Sequence, residues 1–317
     1  MVESEMLTSS RSKRVLAVVS YLLPVVLGLF VVTSVILRER VLGMSWEFSE
    51  YGSIARNIVR GDGAVSGSFE PYDLSILRNV APKPRPPIVI FNRTLLPIWL
   101  TVAAVWTFGA NDGAIMLPHI LALIALLLLA THIERRLAPG AILPVGAVLL
   151  AFSPVVYQSA IQCYPNVLFA ALFVSFLCLV WWVSKMSYIS VPYLSLLGLL
   201  AGLCQLTRTD FVLCLAPVTV YLIAIRGSRG AAKPIVAMMF GWVLLNSLEW
   251  WYALSHYGIA SYAARSDAIW TNLANVKYGS TWLYYVQIDR KDVLFGYWRQ
   301  HLTNIAQNAP RGARLAL

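Results

Sequence analysis

"TLLPIWLTVAAVWTFG", residues 94–109, decides the topology of everything that follows it. The stretch is apolar but short, and Pro97 stands near its start. A membrane span needs about 20 apolar residues, with roughly 17–25 usual. If 94–109 crosses a bilayer, each later segment points one way. If it dips in and returns, each points the other way. The rest of the chain must arbitrate.

Composition sets the class. Hydrophobic residues make up 58% of the 317 and charged residues 13%, with a mean hydropathy of +0.67. Soluble domains carry roughly 25% charge, so the chain reads as an all-α polytopic membrane protein. The formal net charge is +10 and the sequence pI about 9.6, which in a soluble protein would suit nucleic acid. In an integral protein, basic residues flank spans and meet anionic head groups. Membrane lipids are therefore the expected partner of these charges, and nucleic acid is set aside. Cys163, Cys178, Cys204 and Cys214 lie in or beside apolar runs without CxxC spacing. They read as packing residues, neither a disulfide frame nor a metal site. The first apolar run is too long for a signal-peptide core and lacks a small-residue cleavage site, so it reads as a retained span.

The remaining candidate spans are 15–36, 114–133, 141–158, 166–184, 191–206, 211–226 and 234–254. Arg11, Lys13 and Arg14 assign the N-terminus to the cytoplasm. If 94–109 crosses, "ERR" (134–136), Lys185 and "RGSRGAAK" (226–233) all fall outside; if it returns, all three fall inside. The re-entrant reading satisfies every short loop and is adopted. It predicts about seven spans, with outside loops at 37–113, "YQSAIQCYPN" (157–166), "TRTD" (207–210) and 257–317.

The first of these loops opens with "SWEFSEYGSIARNIVRGDG" (45–63). Tyr51, Ile54, Ala55, Ile58 and Val59 follow the i, i+3, i+4, i+7, i+8 stripe of an amphipathic helix. Ser53, Arg56, Asn57 and Arg60 take the other face, and Gly61 and Gly63 end it. Beside a span, such a helix is expected to lie in the interface plane with its apolar face toward lipid. Read alone, Glu47 and Glu50 serve equally well as helix-start charges that complement the macrodipole.

The pattern Glu47-x-x-x-Tyr51-x-x-Ile54-Ala55-Arg56-Asn57-x-x-x-Gly61-x-Gly63 resembles the first-loop signature of the GT-C glycosyltransferases. The likeness is greatest to the branch of dolichyl-phosphate-mannose-protein mannosyltransferases and the bacterial aminoarabinose transferase. "RTLLPIWLTVAAVWTFG", "LALIALLLLATHIERRL", "LLAFSPVVYQSAIQCYPNVLFAALF" and "LLGLLAGLCQLTRTDFVLCLAP" are similar to further pieces of that module, in family order, over residues 15 to 256. The resemblance implies a GT-C-type module with a large first extracytoplasmic loop carrying interfacial helices. Residues 1–14 would be cytoplasmic, 15–256 the module and 257–317 an extracytoplasmic segment. It implies transfer of a sugar from a polyprenyl phosphate to a protein, lipid or glycan acceptor, with inversion, at the outer face of a bacterial plasma membrane. Relatives continue beyond the last residue here, so the chain is expected to be a piece of a longer protein. The rival expectations are a transporter or flippase of lipid-linked precursors, or an inactive GT-C-like scaffold.

The reaction needs a carboxylate to take the acceptor's proton and cationic or hydrogen-bonding groups to steady the departing phosphate. Glu47 matches the family's acidic position, although the family usually has Asp there; Glu50 is the reserve. Tyr51 completes the motif. Arg208 matches the Leu-Thr-Arg position and is the expected phosphate partner, oriented by Asp210; a snorkelling arginine at a helix end explains it too. Arg93 has the same two readings. Tyr157, Gln158, Gln162, Tyr164 and Asn166 crowd one outside turn and are candidates to line a sugar pocket. Arg56 and Arg60 face lipid head groups. His119 reads as a packing residue, and Glu249 reads either as an intramembrane functional acid or as part of a tryptophan belt. No His/Asp/Glu group has metal spacing, so no cofactor or metal is expected to be required.

Overall fold

The computed structural model describes residues 2–39, 46–63, 65–66, 88–89, 95–139, 141, 143–208 and 211–278, with side chains within 18–38, 48–63 and 95–251. Among these residues the architecture is helical. In chain order come α1 (Val2–Glu39), α2 (Trp46–Arg60), α3 (Leu95–Phe108), α4 (Asp112–Leu137), α5 (Val145–Ala151), α6 (Pro154–Ile161), α7 (Pro165–Lys185), α8 (Val191–Thr207) and α9 (Val212–Tyr278). The strands β1 (Val65–Ser66) and β2 (Ile88–Val89) have two residues each. Two compact units are present: Met1–Val65 with Arg93–Glu249, and Ser66–Asn92 with Trp250–Leu317. In the second unit the described residues are the short strand residues and the final stretch of α9. That stretch is helical to Tyr278, where the sequence suggested an outside loop.

Four stretches among the described residues are long and apolar enough to cross a bilayer: Val18–Arg38, Asp112–Leu137, Pro165–Lys185 and Val212–Trp251. The protein thus has the make-up of a helical membrane protein. Large apolar side chains point outward from these helices, among them Phe30 at 65% and Leu213 at 75% exposure. Water would penalise such a surface and lipid does not.

α4 is the hub of the first unit, touching α1, α2, α3, α5, α6 and α7. Its 26 residues rise about 39 Å at 1.5 Å each, enough for a hydrocarbon core of about 30 Å. Asn111 caps it, its side chain accepting the Ala114 N–H at 2.9 Å, and Arg135 and Arg136 occupy the last turn. α1 lies antiparallel to α4: the Tyr21 hydroxyl meets His132 Nδ1 at 3.2 Å, while Gly28 sits against Leu127. The chain therefore leaves α1 and begins α4 at the same end. α3, between them, has 14 residues and rises only about 21 Å. The chain makes no net passage along the bundle between Glu39 and Asp112.

The later path can be followed from contact to contact. Glu134, near the end of α4, accepts the N–H groups of Gly146 and Ala147 and so caps α5, whose own N-cap position is Pro144. Arg135 donates to the Ala141 carbonyl at 2.6 Å. α5 and α6 carry the chain back to the start of α4, where Cys163 Sγ meets the Ile115 carbonyl oxygen at 3.7 Å. The predicted continuous span 141–158 is thus two short helices. They break at Phe152–Ser153 because Pro154 cannot continue the first and is well suited to open the second. α7 runs away from that end and α8 returns to it, where Arg208 reaches Asn166.

α9 is helical throughout the expected loop 226–233, yet its contacts reverse there. Its first arm descends to Arg226, whose guanidinium donates to the carbonyls of Val183 (2.8 Å), Ser184 (3.4 Å) and Met186, capping the C-terminus of α7. Gly227 then takes φ +69°, a left-handed conformation suited to glycine, and Arg226 Nε closes the turn onto the Gly230 carbonyl at 3.1 Å. The second arm climbs back along α8, with Gly241 against Gly198 and Trp242 Nε1 donating to Gln205 Oε1 at 3.0 Å. Between the arms, α7 and α8 lies a core that includes Phe176, Leu197, Cys204, Phe211, Leu222 and Met238. The bundle has two chemically different ends. Arg135, Arg136, Lys185, Arg226 and the following "GSRGAAK" gather at one; α2, the 162–166 turn and Arg208 gather at the other.

Candidate functional site

α2 is where the structure departs most from the amphipathic-helix expectation. Phe48, Glu50, Tyr51, Ile54 and Ala55 are all buried inside the protein. The Tyr51, Ile54 and Ala55 part of its apolar stripe packs on α3 and α4 rather than on lipid, while Ile58 is half-buried and Val59 exposed at the end of the helix. Gly52 allows the close approach, since a Cβ there would lie 2.6 Å from Ile115 Cδ1. Tyr51 packs on His119 of α4, ring centroids 6.5 Å apart. Arg56 folds back on its own helix, Nε donating to the Gly52 carbonyl at 3.0 Å, while Arg60 is exposed.

A contact path joins α2 to the next element of the site. Ile115, which Gly52 touches, also offers its carbonyl to Cys163. Cys163 has φ +57° and forms the left-handed position of a Schellman closure on α6, with the Tyr164 N–H bonded to the Ser159 carbonyl at 3.0 Å. Gln162 and Tyr164 flank it, half-buried; Tyr157 is half-buried on α6 and Gln158 exposed. Burial pushes the Cys163 thiol up to about 12. The turn then enters α7 through Pro165, leaving Asn166 exposed on its first turn.

Arg208 closes the arrangement. As the C-cap of α8 it has an extended backbone, which turns its side chain across to α7. Its NH1 donates to Asn166 Oδ1 at 2.6 Å, and its guanidinium lies 5.7 Å from the Phe169 ring. Phe169 belongs with Phe173, Phe176 and Phe211 to an aromatic cluster with centroids 5.4 to 6.4 Å apart. That cluster gives the cation a fixed apolar wall.

The structure therefore brings Asn166 and Arg208 into direct contact and sets Tyr51 at the same end of the bundle. Glu50 is fully buried. Glu47 lies in the first turn of α2, but its side chain, like all of Arg93 and Asp210, lies outside the described residues. Glu249 is buried, at 3% exposure, rather than facing a polar interface. The polar residues Gln205, Thr207 and Asn246, also buried, were missed in the sequence. The one available signal was Gln205 interrupting the apolar run "LLAGLCQL". Among the described residues no three His, Cys, Asp or Glu side chains stand close enough to hold a metal ion together. A fixed guanidinium beside an amide suits binding of an anion such as a phosphate.

No family model matches the chain, and no curated protein or solved structure matches it significantly.

Proposed function

We propose that the protein is a GT-C-type membrane glycosyltransferase that moves a sugar from a polyprenyl phosphate to an acceptor at the end of the bundle where α2, the 162–166 turn and Arg208 meet. The observation that carries this reading is the 2.6 Å contact between Arg208 and Asn166, at the same end as the helix bearing Glu47. On this reading the end-to-end runs of α1, α4, α5 with α6, α7, α8 and the two arms of α9 are seven membrane crossings. The basic end and the N-terminus face the cytoplasm of a bacterial cell, and the site faces outward.

In the reaction, the acceptor's oxygen attacks the anomeric carbon while its proton passes to the Glu47 carboxylate. The bond from the anomeric carbon to the phosphate oxygen breaks, and its electron pair leaves with the phosphate. Arg208 bears the charge that develops there, and Asn166 and the Phe169 ring hold the guanidinium in place. The acceptor bond forms opposite the bond that breaks, so the anomeric configuration inverts. Glu50, buried beside Tyr51, keeps the reserve role.

The test is transfer of radiolabelled sugar from a panel of undecaprenyl- and dolichyl-phosphate sugars, by the protein in lipid vesicles. Glu47→Gln is expected to lower kcat by about 10²-fold or more, within the usual worth of a positioned general base. Wild-type protein that moves the lipid-linked sugar across the membrane without transferring it would establish a transporter instead. Protein that does neither would establish a scaffold.

A further inference from the structure

The basic end of the bundle holds its cations in unequal ways. Arg226 serves the fold: its guanidinium takes the Val183, Ser184 and Met186 carbonyls on one side and the Gly230 carbonyl on the other. Arg135 donates to the Ala141 carbonyl. Arg136, Lys185, Arg229 and Lys233 are exposed. Among the described side chains, the carboxylate at this end is that of Glu134, and the Gly146 and Ala147 N–H groups engage it. No described carboxylate therefore neutralises the exposed cations.

Lys185 differs from the others in where its charge lies. A lysine at a helix end ordinarily extends its stem so that the ammonium reaches water. The Lys185 ammonium instead folds back one turn and lies 3.9 Å from the centroid of the Trp181 ring. Trp181 is 47% exposed and Trp182 50%, and Trp182 stands edge-on to Tyr193 of α8, centroids 6.3 Å apart. Outward-facing indoles at the end of a span sit at the headgroup level of a bilayer. The ammonium is thus on the flank of the bundle, at the depth of lipid phosphates, and not out in the aqueous loop.

The corner between α7 and the turn of α9 is also fixed. Because Arg226 bonds to both, the segments carrying Lys185 and Arg229 are held one guanidinium apart. The Ser184 and Tyr221 hydroxyls, 3.1 Å apart, tie α7 to the first arm of α9 a second time. Lys233 follows Arg229 by four residues and shares its side of the helix. Leu177, one turn before Trp181, is exposed as well and continues the flank as an apolar surface.

We infer that this corner binds one anionic phospholipid, its phosphate seated between Lys185 and Arg229 beside the Trp181 indole, with Lys233 adding charge and the Leu177 flank receiving an acyl chain. A guanidinium fork and an ammonium supply convergent donors for phosphate oxygens. The indoles and the apolar flank favour a phosphate that arrives on a lipid over one from solution. Basic loops in general attract an anionic surface without holding any one molecule; this corner retains a single lipid at named residues. Its occupancy does not depend on sugar transfer.

Native mass spectrometry of the full chain in detergent, titrated with phosphatidylglycerol or phosphatidylcholine of identical acyl chains, tests the site. Wild-type protein should retain one phosphatidylglycerol, bound about tenfold or more tighter than phosphatidylcholine. Lys185→Gln combined with Arg229→Gln should weaken that binding by about 30-fold, the usual worth of two cations near an anionic surface. Lys185→Arg, which keeps the charge, and Arg136→Gln, at the same end but outside the corner, should each stay within about threefold. Equal retention of the two lipids would overturn the inference. So would an equal loss in Arg136→Gln, which would show diffuse surface charge in place of a site. Inorganic phosphate that displaces phosphatidylglycerol at a matching concentration would overturn the assignment to lipid. Should the double variant lose its fold, read as Tm in phosphatidylcholine nanodiscs, the single variants are titrated instead. Each should then bind about fivefold more weakly, and unchanged binding in both would overturn the site.

Discussion

Cys163 stands at a backbone position that glycine usually fills. With φ +57°, a side chain there costs about 1–2 kcal/mol, offset by full burial of the side chain and its contact with the Ile115 carbonyl. "QCYP" contains no glycine to announce the turn, so the closure of α6 was legible only through Pro165 after it. Because burial raises the thiol to about 12, only about one molecule in 10⁴ is thiolate at pH 8. Native protein at pH 8 should leave Cys163 unalkylated by N-ethylmaleimide, and denaturation should expose it, as read by mass spectrometry. Rapid native labelling would show that the 162–164 turn opens. Arg208 teaches a related lesson. Its place at the end of α8 was legible from "LTRTD", but its partner Asn166 is 42 residues away in sequence, and nothing local to either residue links them.

At the scale of elements, helix starts were the most legible features. Pro154, Pro165 and Pro192 each open a helix within its first two positions, because a missing N–H costs nothing there. The stripe of α2 was legible too, but what covered it was not: an apolar face has the same pattern whether lipid or protein lies against it. The pairing of α8 with the second arm of α9 rests on "GLLAG", a Gly-x-x-x-Gly spacing that lets helix backbones touch. A Cβ at Gly241 would fall 2.2 Å from the Gly198 carbonyl oxygen, so the two helices cannot hold their present approach around a larger residue. Gly241→Val should destabilise the protein by about 1–3 kcal/mol, seen as a lower Tm in detergent. An unchanged Tm would mean that the crossing is looser than described. Glu134→Ala should cost about 1 kcal/mol by uncapping α5, whereas Glu134→Asp, with a shorter reach, should retain part of that.

At the scale of the whole molecule, the chain's path sorts its charge. Three basic segments far apart in sequence, at 134–136, 185 and 226–233, come to one end of the bundle, and α2 with Arg208 comes to the other. This geometry makes a prediction independent of any chemistry. In sealed vesicles of uniform orientation, an impermeant maleimide should label Ala110→Cys from one side, and Arg229→Cys only from the other. Ala110 lies just before α4 and Arg229 in the turn of α9, and both are exposed. Labelling of both from the same side would break the two-ended bundle, and with it the proposed site.

The sequence by itself determined that this chain has the make-up of a helical membrane protein, where most of its helices begin, and that α4 starts at the end of the bundle where α1 stops. Those features follow from composition, from proline at helix starts and from the charge of short loops, all of which act locally. The tertiary structure alone decided that Phe48 to Ala55 of α2 pack on protein, that α9 doubles back at Gly227, and that Arg208 meets Asn166 while Tyr51 packs against His119. Each of these is a contact between segments distant in the chain. Such contacts depend on which surfaces fit closely enough to exclude lipid, and hydropathy cannot distinguish a side chain facing protein from one facing a bilayer.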